Sequence, residues 1–295
     1  MASIHTSVLE IVYEEIGPQN GPAVLLLHGW PDAPCGWGSV AKRLSAAGWR
    51  TIIPYLRGSQ PTRFLSPNTP RFGAGVALAQ DAMDLADALG LQRFAVAGHD
   101  WGARAAYTMA ALYPERLSSI ACLALAYQPH AAFKVPDLEQ SRRFWYQWFQ
   151  CIDGGVEVIE RNPVAFARIQ WDTWSPPGWF DEADFAAAAA SFSHPDWLAI
   201  TLNAYRSRWL PNQTKDATYD SLQQRLTETG YLTVPTLMIQ GASDRCDAPH
   251  ESEGLDAFFT GGYRRLLLGG VGHFPHREAP EAVTGAILHL LQETS

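Results

Sequence analysis

The sequence predicts an α/β protein in which a doubly wound, mostly parallel sheet is interrupted by a helical insertion. Three observations carry that expectation. Short, near-continuous apolar runs alternate with amphipathic helical patterns up to residue 129, as strands covered on both faces by helices require. The alternation stops between residues 130 and 230. It then resumes with two apolar runs and a closing amphipathic helix.

In chain order, Leu9 to Glu14 alternates as a first strand, and Ala23 to Leu27 is a buried strand ending in His28-Gly29-Trp30-Pro31. Arg50 to Tyr55 reads as the next strand, followed by the turn Leu56-Arg57-Gly58. Gly75 to Leu91 gathers Val76, Leu78, Ala79, Ala82, Leu85, Ala86 and Leu89 on one helical face, and Gly90 ends it. Phe94 to Ala97 is a strand running into Gly98-His99-Asp100-Trp101-Gly102 and an alanine-rich helix. Ile120 to Ala126 reads as a fully buried strand.

Residues 130–230 hold seven of the eleven tryptophans, many prolines and short helical patches such as Glu182 to Ser191. They read as a helical lid, which divides the chain into a first core part (1–129), the lid (130–230) and a second core part (231–295). A few of the lid tryptophans are expected to line an apolar substrate pocket where lid meets core. Beyond it, Val234 to Gln240 is a strand ending in Gly241-Ala242-Ser243-Asp244, and Arg264 to Leu268 is another, running into Gly269-Gly270-Val271-Gly272-His273-Phe274. Pro280 to Leu291 closes the chain as an amphipathic helix.

Composition bounds the function. A 295-residue chain with 47% hydrophobic and 18% charged residues suits one large α/β domain with an insertion. Its net charge of −8, with no basic run, argues against a nucleic-acid partner. No segment approaches the roughly 18 apolar residues of a membrane span, and the first ten residues lack a signal-peptide pattern. Cys35, Cys122, Cys151 and Cys246 are scattered without metal-ligand spacing, which fits free thiols in a reducing, cytoplasmic setting.

The chemistry centres on Gly98-x-Asp100-x-Gly102. Small residues two before and two after a central residue let a chain turn sharply from strand to helix and expose that residue, the geometry of a nucleophile elbow. An aspartate there is ionised near neutral pH, with a reference pKa of about 3.9, and needs no base to attack. Against an ester it would gain little. Against a saturated carbon carrying a leaving group, as in an epoxide or alkyl halide, it forms a stable alkyl ester. Strand ends also offer Asp244 and His273, in the order nucleophile, acid, histidine. Asp247 is the local rival for the acid, and His276 the neighbouring histidine. Backbone N–H groups of Trp30 and Trp101 are the expected oxyanion donors.

These motifs, His28-Gly29-Trp30-Pro31, Gly98-His99-Asp100-Trp101-Gly102, Gly241-Ala242-Ser243-Asp244 and Gly272-His273-Phe274, resemble the epoxide hydrolase and dehalogenase branch of the α/β-hydrolase superfamily over nearly the whole chain, lid included. The resemblance implies an α/β-hydrolase fold and a two-step reaction. Asp100 opens an apolar or aryl epoxide to give an ester while a lid tyrosine assists the leaving oxygen; His273, oriented by Asp244, then activates water to release a diol. Tyr205 falls where one lid tyrosine is expected. At the other tyrosine's position the alignment puts Trp148, with Tyr146 two residues away on a different helical side. His28, Trp148, Tyr146 and Arg104 are the implied substrate contacts.

Two alternatives stand beside this reading. A haloalkane or haloacid dehalogenase would use the same nucleophile, with Trp101, Trp148 and Tyr205 as the halide site. Haloacetate dehalogenases resemble the chain at Arg104, where they hold a carboxylate, but their second arginine, directly after the nucleophile, is Trp101 here. A non-catalytic small-molecule-binding member of the fold is the other alternative. No cofactor or metal is called for. The expected partners are a small apolar substrate and water, without nucleic acid or membrane, and homodimerisation is left open.

Overall fold

Nine strands form one sheet in the computed structural model, which describes residues 1–131, 133–192 and 194–294. They are β1 (Ala2–His5), β2 (Leu9–Ile16), β3 (Ala23–Leu27), β4 (Arg50–Pro54), β5 (Arg63–Phe64), β6 (Phe94–His99), β7 (Leu117–Leu123), β8 (Thr236–Gly241) and β9 (Tyr263–Leu268). The spatial order is β1-β2-β4-β3-β6-β7-β8-β9, with β5 paired to β2. From β4 through β9 each neighbouring pair is parallel, while β1, β2 and β5 add an antiparallel edge.

The helices are α1 (Gly38–Ala46), α2 (Gly75–Ala88), α3 (Trp101–Leu112), α4 (Leu138–Arg143), α5 (Trp145–Cys151), α6 (Asp153–Arg161), α7 (Pro163–Trp174), α8 (Glu182–Ala189), α9 (Pro195–Trp209), α10 (Asp220–Glu228), α11 (Pro275–Glu278) and α12 (Pro280–Thr294). Alternation along the parallel strands explains the double winding. Leu25, Leu27, Val96, Ile120 and Cys122 turn to one face, where they pack with α2 and α3. Val24, Leu26, Ala97, Ala121, Leu123 and Ile239 turn to the other, against Val40 and Leu44 of α1 and Ile287 and Leu291 of α12. Both sides of the sheet are thereby removed from water, which is why these strands read as unbroken apolar runs.

Helices α4 to α10 all lie between β7 and β8 in the chain. Their side chains meet the loops that follow the parallel strands: Trp171 Nε1 donates to the Pro31 carbonyl at 2.7 Å, and Ser175 Oγ accepts from the His273 amide at 2.8 Å.

Three strands differ from the sequence reading. β1 and β5, short and largely exposed at the edge, carry too little apolar pattern to be foreseen. β7 lies three residues earlier than the run 120–126 suggests, because the apolar character continues past the strand into a buried loop in which Ala124 takes a positive φ of 58°. Among the described residues, no helix is long and apolar enough to cross a membrane.

Candidate active site

The β6-to-α3 turn is built by close backbone approach. A Cβ on Gly98 would run into the Gly102 carbonyl, and one on Gly102 into the Leu27 carbonyl, so the turn requires glycine at both positions. Between them Asp100 adopts φ 49° and ψ −109°, a strained conformation for a residue with a side chain. It is anchored by its N–H, which donates to the Leu123 carbonyl at 3.0 Å, and by its carbonyl, which accepts from Arg104 N–H at 2.9 Å. The side chain stands at the sheet's carboxyl edge.

Asp100 Oδ1 accepts from the Trp30 N–H at 2.9 Å. Burial raises its pKa above the ordinary carboxylate value, against the opposing pull of His273, the Trp30 and Trp101 amides and Arg104. Its Oδ2 lies 3.9 Å from His273 Nε2. The other nitrogen of His273, Nδ1, meets Asp244 Oδ2 at 2.9 Å. Asp244 is itself immobilised: Oδ2 also accepts from Gln240 Nε2 at 3.0 Å, and Oδ1 from the Cys246 and Asp247 amides at 2.8 and 3.0 Å. Asp244 is thus the carboxylate that meets His273, and its rival Asp247 contributes an N–H to it. Burial alone would depress the His273 pKa, but Asp244, with Asp100 and Asp247, raises it to about 9.

The histidine loop is held by residues with no motif of their own. Ser175 Oγ accepts from the His273 N–H and donates to Glu278 Oε1 at 2.7 Å, while Glu278 accepts from the Gly272 and Phe274 amides. His99 Nε2 pairs with the His273 carbonyl at 2.7 Å. His276 is not part of the Asp100 group, because its Nε2 meets Asp32 Oδ2 at 3.0 Å. Asp32 also takes the Arg277 guanidinium, which with His276 holds its carboxyl below the usual range despite burial.

Over Asp100 stands an aromatic enclosure. Trp30 stacks on Tyr146 with ring centroids 5.6 Å apart and meets Tyr205 edge-on at 5.2 Å. The two tyrosine rings are 5.4 Å apart. Tyr205 Oη accepts from the Trp101 indole N–H at 3.2 Å, and Tyr146 Oη from Gln147 Nε2 at 3.0 Å. Burial pushes both phenols well above their ordinary pKa, so both carry their protons at neutral pH.

Five expectations from sequence need correction or refinement. Trp148 does not join the site, since its indole donates to the Ser141 carbonyl at 2.7 Å and packs on Trp209. Tyr146 is the residue brought to Tyr205, because Tyr146, Gln147 and Gln150 form the buried side of α5. The three-donor halide cradle therefore does not assemble: Trp148 is absent from it, and the Trp101 indole is already bonded to Tyr205. His28 is engaged by backbone rather than open to a substrate, with Nδ1 on the Gly29 carbonyl at 2.9 Å and Nε2 accepting from Leu56 N–H at 3.2 Å. Burial lowers its pKa to about 4, so it is neutral. Arg104 borders a large cavity next to Trp101, where it is joined by Arg208, a residue the sequence reading missed. Its position one helical turn after Tyr205 was the available signal.

Two groups bring three ligand-type atoms together among the described residues, Asp32/His99/His276 and Cys246/Asp247/His273. Arg277 already neutralises the first and Asp244 already orients the histidine of the second, so neither donor set fits a resident cation.

Strand order, elbow and histidine loop together define an α/β hydrolase, and a profile for the alpha/beta hydrolase fold matches residues 22–151. The chain is 37% identical to a crystallised Klebsiella pneumoniae protein provisionally named an epoxide hydrolase, with 99% of this chain and 97% of that one covered at a TM-score of 0.91. It is 26% identical to epoxide hydrolase A of Mycobacterium tuberculosis, over 98% of this chain and 96% of the relative. Potato epoxide hydrolase I shares the fold, with a TM-score of 0.78 at 20% identity, over 99% of this chain and 98% of that one. The chain belongs to the epoxide hydrolase branch of the α/β-hydrolase superfamily and is a hydrolase.

Proposed function

We propose that the protein hydrolyses an apolar or aryl epoxide to a diol through an alkyl ester on Asp100. The observation that carries this reading is the pair of protonated phenols, Tyr146 and Tyr205, facing each other beside an aspartate whose Oδ1 is held by a backbone amide. Halide departure needs no acid; an epoxide oxygen leaving as alkoxide does.

In the first half, Asp100 Oδ2 attacks a ring carbon and the C–O bond breaks. The alkoxide takes a proton from Tyr205 or Tyr146. In the second half, His273 Nε2 removes a proton from water as the water oxygen bonds to the Asp100 carboxyl carbon. Charge develops on Oδ1, where the Trp30 N–H already points; as the ester C–O bond breaks the imidazolium gives its proton to the leaving diol oxygen, and the acid proton left on the Asp100 carboxyl restores the phenol. Asp244 stabilises the imidazolium formed in this step. The helical segment 130–230 acts as the lid that supplies both phenols.

The test is a single turnover of styrene oxide in H₂¹⁸O with enzyme in excess. Unlabelled diol and label recovered in Asp100 support the ester route; label in the first-turnover diol sinks it.

A further inference from the structure

The cavity beside Trp101 is lined by three cationic residues, Arg104, Arg208 and Lys215, and the two arginines meet at one ring. Its volume is about 590 Å³, within the range of small-molecule sites, and its walls include Phe72, Val76, Leu125, Tyr127 and Leu210. Arg104 from α3 and Arg208 from α9 converge on it. Their guanidinium carbons lie 4.9 and 4.8 Å from the centroid of one ring, Phe133, and that of Arg208 also lies 4.7 Å from the Tyr205 ring.

Among the described residues, neither arginine forms an ion pair with a carboxylate. The side-chain bond of Arg104 is a long one to Gln128 Oε1, 3.4 Å, and its Nε is buried without a partner. Asp216 and Asp220 border the same cavity, but Asp216 caps the Thr218 amide at 3.0 Å. The contrast with the rest of the chain is sharp. Buried Arg57 is matched to Asp81 and Arg277 to Asp32 by short charged hydrogen bonds. Both guanidiniums sit against the same ring in a partly desolvated wall, and burial together with Arg208 lowers the pKa of Arg104 to about 9, outweighing the opposing pull of Asp100, Tyr205 and Asp247. An anion beside them would offset that lowering. A carboxylate matches their planar forks.

We infer that Arg104 and Arg208 form a carboxylate subsite, and that the substrate is an epoxide carrying a carboxylic acid, its apolar body lying along the aromatic wall between Phe133 and Trp101. This rests on the epoxide reading above and adds the charge of the substrate to it. The second arginine comes from the helix that carries Tyr205, so seating the carboxylate also fixes the phenol's helix against α3.

Binding and turnover separate the two ideas. By calorimetry on the full chain, cinnamate is expected to bind at least about tenfold more tightly than cinnamamide, with the preference shrinking as salt is raised. Arg208→Gln should bring that ratio near one, and Arg208→Lys should restore part of it; thermal melts confirm that the variants fold. In turnover, 3-phenylglycidate should exceed its methyl ester in kcat/KM, and Arg208→Gln should erase the difference. Equal binding of acid and amide, with diol formed equally from acid and ester, overturns the subsite and leaves the epoxide reading standing. Tight cinnamate binding without diol from either compound, but with halide from 2-chloro-3-phenylpropanoate, upholds the subsite and overturns the epoxide reading.

Discussion

His273 Nε2 lies 3.9 Å from Asp100 Oδ2, close enough to feel its charge and too far to share its proton. That separation suits the proposed route, in which the carboxylate acts first and the imidazole second. Replacing His273 by Gln is expected to leave the first step running and to stall the second. Intact-protein mass spectrometry after addition of epoxide should find one equivalent of adduct, with turnover down by roughly 10²–10⁴-fold. Steady diol release by this variant would remove His273 from the reaction.

The pH dependence follows from the same pair. Asp244, Asp100 and Asp247 hold the His273 pKa at about 9, so in the resting protein the ring is largely protonated at neutral pH. In the proposed route, esterification removes the charge of Asp100. The pKa must then fall, delivering a neutral base when one is needed. Ester hydrolysis should therefore rise with pH through a midpoint below about 9, measurable by stopped-flow fluorescence; a midpoint at or above that value would contradict the coupling. Stability runs the other way. A histidine pKa raised above its unfolded value of ~6.5 contributes fully below that pH, and the contribution is lost as pH rises through about 9. Melting temperature should decline over that window, and less so in His273→Gln.

The two phenols should be partly redundant. Tyr205→Phe or Tyr146→Phe alone is expected to slow ester formation by roughly 10- to 10²-fold, and the double variant by more than about 10³-fold. Trp148→Phe serves as the contrast. It removes the indole bond to the Ser141 carbonyl, costs ~1 kcal/mol of stability and leaves ester formation unchanged.

Ser175→Ala tests the support of the histidine loop. The His273 amide loses its acceptor and Glu278 loses a donor in a buried setting. Stability should drop by about 1–3 kcal/mol, and kcat should fall with little change in KM. An equal effect on both constants would point to general loosening instead.

The meeting of Asp100, Asp244 and His273 was legible in sequence because each follows a parallel strand and so stands at the same edge of the sheet. The first lid phenol was not. The stretch Trp145-Tyr146-Gln147-Trp148-Phe149-Gln150 is aromatic on every side, so hydrophobic period cannot say which face turns inward, and the inward face is the one with Tyr146 and two glutamines. Ser175 and Glu278 escaped notice for a different reason. Their work is done through main-chain amides of the histidine loop, which no side-chain motif records. Arg208 was hidden by distance, since it meets Arg104 at the Phe133 ring only in the folded chain.

The order of the sheet has a consequence for how the chain is made. β7 pairs on one side with β6, made just before it, and on the other with β8, from which it is separated by seven helices. While a ribosome translates that long stretch, the outer edge of β7 has unpaired amides and carbonyls beside an apolar surface, the arrangement most prone to wrong partners. The helical segment must therefore either cover this edge provisionally or leave it to a chaperone, and the nascent protein is at its most vulnerable halfway through synthesis, well before Asp100 has a histidine to work with.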